Sequence, residues 1–365
     1  QPPDPVEKWH SPPFEPTVRD DRLYGRGVSD DKGPASIALE TLFAFLAVEG
    51  ALPVNIRILL EGEEEIGSES LPGLLRAHAD RLTADAVISA DGARWRADLA
   101  SVNVGSRGNA AYEISLRTAS KDLHSGRYGG AVPNAAHMLA RIISGLHDAD
   151  GRVAVPGFYD GIPDTDVKER EAIAALPFDE PAFFAAIQSL PMGEAGHSTL
   201  ERLWLRPTLE VNGMWSGYTG EGGKTVTPAE AHAKLTSRLV PGQRPDAVRE
   251  ALRAHFARMC PAGAELAFTA RDEGNAAYSV PPDHPLLLAV EDAVEAALGQ
   301  RPVRVRVGST LPLSDMIKMA LGVETVTLSF STADEDFHAP NEFLRLSALD
   351  EGVAAWVALL RRLGG

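Results

Sequence analysis

The sequence predicts an α/β fold in which a mostly parallel sheet carries helices on both faces. Three short apolar runs have the composition of buried parallel strands, and they lie at residues 54–60, 85–89 and 323–330. A helix is predicted over residues 33–49, because apolar residues recur there at helical spacing between two glycines. A second helix is predicted over residues 348–363. Strands that alternate with helices favour a parallel sheet covered on both sides.

The middle of the chain follows a different pattern. Alternation of polar and apolar residues predicts antiparallel strands at residues 110–116 and 230–239, and helices are predicted at residues 134–146 and 244–259. Residues 150–200 are rich in proline, aspartate and glycine, which predicts loops. We therefore expect an α+β insertion that interrupts the parallel α/β domain.

Composition argues against several classes of partner. The 365 residues carry a formal net charge of −16, whereas nucleic-acid binding needs clustered Lys and Arg. The same charge disfavours an anionic membrane surface, and no uninterrupted apolar run reaches the roughly 18 residues of a membrane-spanning helix. The single cysteine, Cys260, excludes an intramolecular disulfide and fits a reducing cytoplasm.

Polar clusters lie at the ends of several predicted elements. Residues 25–33 lead into the first helix, and residues 61–68, Asp91 and residues 334–338 each follow a predicted strand. Because ligands bind at the carboxyl ends of parallel strands, we expect these acids to meet at one edge of the sheet. Massed carboxylates resist ionising together unless a cation lies among them, and Asp, Glu and His are ligands of Zn²⁺ and Mn²⁺. The resulting hypothesis is a two-metal hydrolytic site.

Each cluster by itself has a simpler interpretation. The three glutamates at residues 63–65 are typical of a solvated surface, and His338 alone is typical of an ordinary surface or core histidine. The glycines around Asp30 are also compatible with a plain turn, and they do not match a nucleotide-binding fingerprint, which needs Gly at position 30. Adjacent Glu64 and Glu65 cannot flank a sugar from opposite faces, which disfavours a glycosidase. Only the joint placement of the clusters favours a metal site.

A set of longer motifs runs in order along nearly the whole chain. It consists of GRGVSDDKG at residues 25–33, EGEEEIGS at residues 61–68, Asp91, DLHSGRYGG at residues 122–130, KTVTP at residues 224–228, SRLVPGQ at residues 237–243, and the late His338 followed by NE at residues 341–342. These motifs and their order resemble the M20 metallopeptidases. Within that family, they look most like the dipeptidases related to carnosinase.

The resemblance implies a site with two divalent metals, Zn or Mn. Asp30 would bridge the two ions, which lie about 3.5 Å apart in such sites. Glu65 and His338 would complete the first ligand set, and Asp91 would serve the second metal. Glu64 would be the general base, taking a proton from the metal-bridging water and passing it to the leaving amine. The implied activity is hydrolysis of the amide bond of dipeptides or short peptides.

The resemblance also implies a catalytic metal-binding domain of residues 1–103 and 303–365, and a lid of residues 104–302 through which a homodimer forms. His124 would reach the other subunit's site and hydrogen-bond the oxyanion of the scissile carbonyl. Arg238 would bind the C-terminal carboxylate of the substrate. Further candidates for substrate binding, the first three through backbone N–H groups, are Gly308, Ser309, Thr310, Asn212 and His284.

Two departures from the family pattern alter these expectations. The family has a His-x-Asp motif ahead of its Pro-rich loop, and this sequence begins with QPPDP, so we expect an upstream segment to be absent from it. Without that His the second ligand set is incomplete, which predicts a normal first metal and a weak or empty second one. Val307 stands where dipeptidase relatives often have Glu, which predicts a looser requirement for a free amino group. Arg107 and Glu342 are expected to have structural or supporting roles.

Three functions remain open on the sequence. The first is a cytoplasmic, homodimeric, dinuclear metallopeptidase that cleaves dipeptides or very short peptides. The second is an N-acyl-amino-acid amidohydrolase, which a blocked amino terminus on the preferred substrate would favour. The third is a non-catalytic truncated homologue that binds metal or peptide without turnover, and the missing His-x-Asp motif is its main support.

Overall fold

The computed structural model describes residues 1–271 and 274–365, and its strands and helices fall into two units. The first unit contains Gln1–Gly105, Ser279–Arg306 and Leu313–Gly365, and the second contains Ser106–Tyr278 and Val307–Pro312. The second unit is therefore an insertion into the first. Its main segment follows Gly105, and the short segment Val307–Pro312 interrupts the first unit a second time. Among the residues described, none of the helices combines the length and the apolar character needed to cross a bilayer.

The strands are β1 (Thr17–Arg19), β2 (Arg22–Tyr24), β3 (Val87–Ser89), β4 (Ser101–Ser106), β5 (Gly108–Arg117), β6 (Leu123–His124), β7 (Thr208–Ser216), β8 (Val226–Thr227), β9 (Glu230–Leu239), β10 (Glu265–Ala270), β11 (Tyr278–Ser279), β12 (Val303–Val307), β13 (Thr325–Thr327) and β14 (Phe343–Arg345). The helices are α1 (Gly33–Val48), α2 (Leu71–Ala77), α3 (Ala79–Leu82), α4 (Ser125–Tyr128), α5 (Ala135–Ser144), α6 (Val167–Ala174), α7 (Glu180–Ala186), α8 (Thr199–Trp204), α9 (Pro245–Met259), α10 (Pro285–Leu298), α11 (Pro312–Leu321) and α12 (Ser347–Gly364).

The first unit packs short sheets against long helices. β3 and β13 pair in parallel, with Ile88 opposite Val326, and β2 lies between β1 and β14 in an antiparallel sheet. α1 and α10 both pack against α12, and Leu42 and Phe45 of α1 meet Leu360 of α12 in a buried cluster. The α/β class predicted from the sequence is confirmed, with parallel pairing between the two strands that precede Asp91 and the His338 loop.

The second unit is built on the antiparallel sheet β10-β5-β9-β7. Residues of β5 and β9 alternate between buried and partly exposed, so one face of the sheet is apolar. α5 and α9 cover that face, and Leu139 and Phe256 from these helices join Ile114 and Leu235 in the core. The strands and helices predicted for the middle of the chain are confirmed here.

The apolar run at residues 54–60, predicted as a buried strand, does not form one. Within the described part of the chain no strand pairs with this run, and the side chains of Ile58 and Leu60 are 54% and 71% exposed. Val54 and Ile56 pack against the core of α1 and α12. Apolar composition reports a preference for burial, whereas a strand also needs a neighbouring backbone to pair with. The strand prediction is therefore wrong for this segment.

Two predictions for residues 150–302 also differ from the structure. Residues 279–302, assigned to the lid from the sequence, lie in the first unit, because α10 packs along α12 there. Residues 150–200, predicted as loops, contain α6, α7 and the start of α8. The side chains of Asp166, Asp179 and Ser198 cap these helices by accepting hydrogen bonds from N–H groups of the first turn.

Replacement of Phe256 by Ala should lower the free energy of unfolding by about 3–5 kcal/mol. Phe256 has no exposed surface and packs its ring 5.8 Å from that of Phe268, so truncation leaves a cavity. Val167→Ala on α6 is the control, because Val167 is 67% exposed and should change stability by less than about 0.5 kcal/mol. Urea denaturation followed by circular dichroism measures both. Equal effects of the two substitutions would contradict the assignment of this core.

Candidate metal centre and anion-binding residues

Three side chains of the first unit place possible ligand atoms together. His338 Nε2 lies 3.0 Å from Asp30 Oδ2 and 3.3 Å from Glu65 Oε2. The three donor atoms all lie within 4.8 Å of one another, and no second group of this kind occurs among the described residues. Two carboxylate oxygens and one imidazole nitrogen at this spacing suit a divalent cation such as Zn²⁺. The structure thus brings together the residues that the sequence suggested for the first ligand set.

The three residues lie on turns that follow or precede regular elements. Asp30 lies in the tight turn Val28–Lys32, which leads directly into α1 and departs from helical geometry at Asp30 itself. Glu65 lies in a short helical turn, Glu64–Ile66, ahead of α2. His338 has a φ of 60° in the loop between β13 and β14. A loop held in a fixed conformation can aim one side chain at a point that no regular element would reach.

Glu342 fixes the turn that carries Asp30. Its Oε1 accepts hydrogen bonds from the backbone N–H groups of Ser29 and Asp30, each at 3.0 Å. Its Oε2 accepts from the backbone N–H of Gly27 and from Arg26 Nη1, each at 2.7 Å. The Glu342 side chain is 1% exposed, so these four donors replace the water that a carboxylate otherwise needs. Glu342, which the sequence predicts to have a structural or supporting role, is therefore the main anchor of this turn.

A second buried carboxylate, Glu335, ties the same turn to the His338 loop. Ser29 Oγ donates to Glu335 Oε2, which also accepts from the backbone N–H of Thr332 at 3.1 Å. Arg345 donates to Glu335 Oε1 through its backbone N–H and its guanidinium, each at 3.1 Å. Glu335 has no exposed surface. Since Glu335 and Glu342 lie on either side of His338 in the sequence, both ends of the His338 loop are fixed to the turn before α1.

An acidic group adjoins Asp30. Burial, followed by the charges of Asp91 and Asp30, raises the pKa of Asp31 to about 8. Burial, followed by the charge of Asp91, raises the pKa of Glu64 to about 7, and burial with the charge of Asp30 raises the pKa of Asp91 to about 6. Oδ1 of Asp31 is buried and lacks a hydrogen-bond partner among the described residues. A divalent cation would relieve this repulsion, so the residues present fit a metal.

Asp31 is a residue that sequence analysis does not single out. It follows Asp30 directly in the chain, and the adjacent pair of acids was the available signal. The third adjacent glutamate has a structural contact instead, since Glu63 accepts hydrogen bonds from the N–H and Oγ of Ser70 at 3.0 and 3.1 Å. Glu63 thus anchors the start of α2, whereas Glu64 and Glu65 face the acidic group.

A separate polar group lies in the second unit, around the loop after β12. Arg238 Nη1 donates to Thr310 Oγ1 at 3.0 Å. Arg107 donates from Nε to the Gly308 carbonyl at 2.9 Å and from its backbone N–H to the Ser309 carbonyl at 3.1 Å. Burial, followed by the charge of Arg238, lowers the pKa of Arg107 to about 10. In the part of the chain described, no carboxylate forms an ion pair with either arginine, so this group suits an anion.

The other candidate residues are dispersed. His124 ends β6 and lines a cavity of about 490 Å³, and its Nδ1 accepts from the backbone N–H of Gly126 at 3.0 Å. A neutral imidazole that accepts at Nδ1 carries its proton on Nε2, which leaves Nε2 as a donor. Asn212 is exposed at a β-bulge in β7 of the second unit. His284 precedes α10 in the first unit, and its buried Nδ1 has no partner among the described residues.

Comparison with known proteins gives four consistent similarities: one family model, two relatives and one solved structure. A model of Peptidase family M20/M25/M40 matches residues 1–362. The human Beta-Ala-His dipeptidase is 28% identical over 372 residues, covering 98% of this chain and 72% of the relative. The Cys-Gly metallodipeptidase of Schizosaccharomyces pombe is 28% identical over 362 residues, covering 97% and 76%. The structure of an M20 family metallo-carboxypeptidase from Sulfolobus solfataricus is 30% identical with a TM-score of 0.84, covering 99% and 82%.

Replacement of Glu342 by Gln should weaken Mn²⁺ binding by roughly 10- to 100-fold. The amide keeps the shape but turns an NH₂ group towards backbone N–H donors and removes the charge that Arg26 pairs with. Isothermal titration calorimetry on metal-stripped protein measures the affinity.

The matched control is Glu49→Gln, because Glu49 pairs with Arg361 at the surface and is 43% exposed. Its Mn²⁺ affinity should equal that of the wild-type protein. Equal affinities of the Glu342→Gln and wild-type proteins would show that the anchor does not set the position of Asp30.

Proposed function

The chain belongs to peptidase family M20/M25/M40, whose members use divalent metals, and we propose that it cleaves the peptide bond of dipeptides or very short peptides. The observation that carries the proposal is the convergence of Asp30, Glu65 and His338 within 4.8 Å. The names of the human and yeast relatives, a Beta-Ala-His dipeptidase and a Cys-Gly metallodipeptidase, support dipeptides as the substrate class.

Asp30, Glu65 and His338 would hold the first metal. It would be Zn²⁺ or Mn²⁺, since carboxylate and imidazole donors accept both. When bound, such a cation lowers the pKa of a water molecule towards neutrality and polarises a carbonyl group. Asp30 and Asp91 would be the ligands of a second, weaker metal. Its support is the charge coupling that raises the pKa of Asp91 beside Asp30.

Glu64 is the general base in this proposal. Its pKa of about 7, raised by burial and by the charge of Asp91, suits a group that must accept a proton and release it near neutral pH. A carboxylate oxygen of Glu64 takes a proton from water as the water oxygen bonds to the carbonyl carbon of the peptide. It then delivers the proton to the amide nitrogen as the C–N bond breaks and the amine leaves. The neighbouring glutamates have other roles in this proposal, since Glu65 would be a metal ligand and Glu63 is hydrogen-bonded to Ser70.

The second unit supplies the groups that bind the peptide. Arg238 binds the C-terminal carboxylate of the substrate, together with backbone N–H groups of residues 308–310. The support is the absence of any ion pair to Arg238 among the described residues and its contact with Thr310. His124 Nε2 donates to the oxyanion in the site of the other subunit. Asn212 and His284 are further substrate contacts in this proposal.

A homodimer that forms through the second unit completes the proposal. β7 is an edge strand, and Val211, Met214 and Trp215 on it are 41%, 53% and 41% exposed. An edge strand with exposed apolar side chains is suited to pair with a second copy. The cytoplasm is the proposed compartment, because Cys260 is the single cysteine of the chain.

A second candidate is cleavage of substrates with a blocked or extended amino end, either N-acyl amino acids or longer peptides. Val307 favours it, because an apolar, partly buried side chain at the start of this loop cannot bind a free ammonium group. Comparison of kcat/KM for a dipeptide and its N-acetyl derivative distinguishes the two candidates. A strong preference for the free dipeptide supports dipeptidase action, and equal or better turnover of the N-acetyl derivative supports the second candidate.

Replacement of Glu64 by Ala should lower kcat by about 10²-fold or more, because the proton carrier is removed. Metal content should stay unchanged, since Glu64 is outside the Asp30–Glu65–His338 set. The control is Glu63→Ala, which removes the adjacent carboxylate and should retain most of kcat. An unchanged kcat in Glu64→Ala would remove Glu64 from the mechanism, and an absence of any turnover by the wild-type chain would support the non-catalytic alternative.

Mixing the inactive variants Glu64→Ala and His124→Ala should restore about a quarter of the wild-type activity. Random exchange makes half of the dimers hybrid, and one of the two sites in each hybrid contains both groups. The control mixture is Glu64→Ala with the double variant that carries both substitutions, in which no complete site forms. Failure of the first mixture to regain activity, with subunit exchange shown by light scattering of tagged chains, would contradict the action of His124 across subunits.

A further inference from the structure

Arg107 is buried beside the loop that is proposed to bind the carboxylate of the substrate. Arg107 is 9% exposed, so its guanidinium is not accessible to a ligand. It directs two donors at the same short segment, Nε to the Gly308 carbonyl at 2.9 Å and its backbone N–H to the Ser309 carbonyl at 3.1 Å. Arg107 therefore binds consecutive carbonyl groups of one loop.

Peptide geometry decides what these two contacts do to the rest of the loop. A trans peptide unit is planar, and its N–H points away from its C=O. The peptide bonds of residues 308–310 are trans. Binding of the Gly308 and Ser309 carbonyls by Arg107 consequently turns the N–H groups of Ser309 and Thr310 away from Arg107. Neither N–H has an acceptor among the described residues.

The loop also requires close approach of the guanidinium. A Cβ atom at Gly308 would lie 3.3 Å from Arg107 Nη2 and 3.2 Å from the carbonyl oxygen of Leu203. Both distances are shorter than ordinary van der Waals contact, so a side chain there would require the Leu203 carbonyl or the Arg107 guanidinium to shift by a few tenths of an ångström. Glycine at position 308 and arginine at position 107 are therefore matched to each other.

Charge adds to the effect of geometry. Arg107 is close enough to Arg238 for the two like charges to interact. The charge of Glu210 opposes this effect at Arg107, but in the described chain neither arginine forms an ion pair. Arg238 is held at the other end of the loop by Thr310 Oγ1 at 3.0 Å. Two free N–H groups lie next to two guanidinium groups that form no ion pair with a carboxylate in the described chain, and together they make a region that attracts an anion.

We propose that Arg107 is a positioning residue for specificity: by holding the carbonyls of Gly308 and Ser309, it orients the N–H groups of Ser309 and Thr310 to bind the C-terminal carboxylate of the peptide substrate. The inference rests on the proposed peptidase function and assigns a role to a residue that does not touch the substrate. It makes the preference for a free carboxylate depend on a side chain buried behind the binding loop.

The test compares the dipeptide that the wild-type protein hydrolyses fastest in a panel with the C-terminal amide of the same dipeptide. The Arg107→Met variant keeps the aliphatic packing but loses the donors. It should raise KM for the dipeptide by about tenfold or more, because a charge-assisted set of hydrogen bonds is lost. Its kcat and its KM for the amide should change by less than about threefold. Arg107→Lys keeps the charge without the fork and should raise the dipeptide KM by less than Arg107→Met.

Calorimetry in a Glu64→Ala background gives a readout that does not depend on turnover. There the dissociation constant of the dipeptide should rise about tenfold with Arg107→Met, and that of the amide should not. Arg206→Met is the matched control, because Arg206 is a mostly buried arginine of the same unit that pairs with Glu194. It should leave the ratio of the two dissociation constants at its wild-type value.

The outcomes separate the inference from the proposed function. Equal changes for dipeptide and amide, or no change for either, in a folded Arg107→Met protein would overturn the role of Arg107 while leaving the peptidase function intact. If Arg107→Met does not fold, Gly308→Ala provides the same comparison, and it should reduce the preference for the carboxylate in the same way. No hydrolysis of any peptide by the metal-loaded wild-type protein would overturn the proposed function. Calorimetry that compares the wild-type and Arg107→Met proteins, with the dipeptide of the panel that binds most tightly and its C-terminal amide, would still decide the role of Arg107.

Discussion

The contact of Glu342 with the turn before α1 is the constraint on which the metal centre depends. One carboxylate accepts three backbone N–H groups and one guanidinium, all within 3.0 Å. Burial of an ion pair such as Arg26–Glu342 is costly in itself, because both charges lose water. The three additional backbone donors offset that cost, and their hydrogen bonds fix the backbone conformation of the turn. Asp30 then meets His338 because the same loop carries both His338 and its anchors.

This arrangement explains how several carboxylates are kept close together without a helix or strand to hold them. Glu335 and Glu342 are fully satisfied by hydrogen bonds and serve the backbone. Asp31, Glu64 and Asp91 are not satisfied, and burial with mutual repulsion raises their pKa values. Carboxylates therefore have two different roles in one unit, and the role depends on the number of N–H donors that each side chain contacts.

The sequence was sufficient to predict helices α1 and α12 of the first unit and strands β5 and β9 of the second, because apolar residues recur there at helical or alternating spacing. It did not predict β7, the edge strand of the same sheet. The clustering of acids and histidine at the ends of elements predicted a metal site, and the resemblance to the family motifs selected Asp30, Glu65 and His338 within those clusters. The sequence predicted a supporting role for Glu342 but not the contacts of Glu335 and Glu342 with the turn before α1, because Ser29 and Asp30 lie about 300 positions away in the chain and no local pattern reports such pairing. The run at residues 54–60 was assigned wrongly for a related reason, since strand formation depends on a partner that composition cannot supply.

The most direct test of this account is the crystal structure of the protein loaded with Mn²⁺ or Zn²⁺, with anomalous diffraction used to locate the metal. The account predicts an anomalous peak coordinated by Asp30, Glu65 and His338, with the hydrogen bonds from the Ser29 and Asp30 N–H groups to Glu342 retained. A peak elsewhere in the protein, or the same ligands bound with the Glu342 contacts broken, would contradict it.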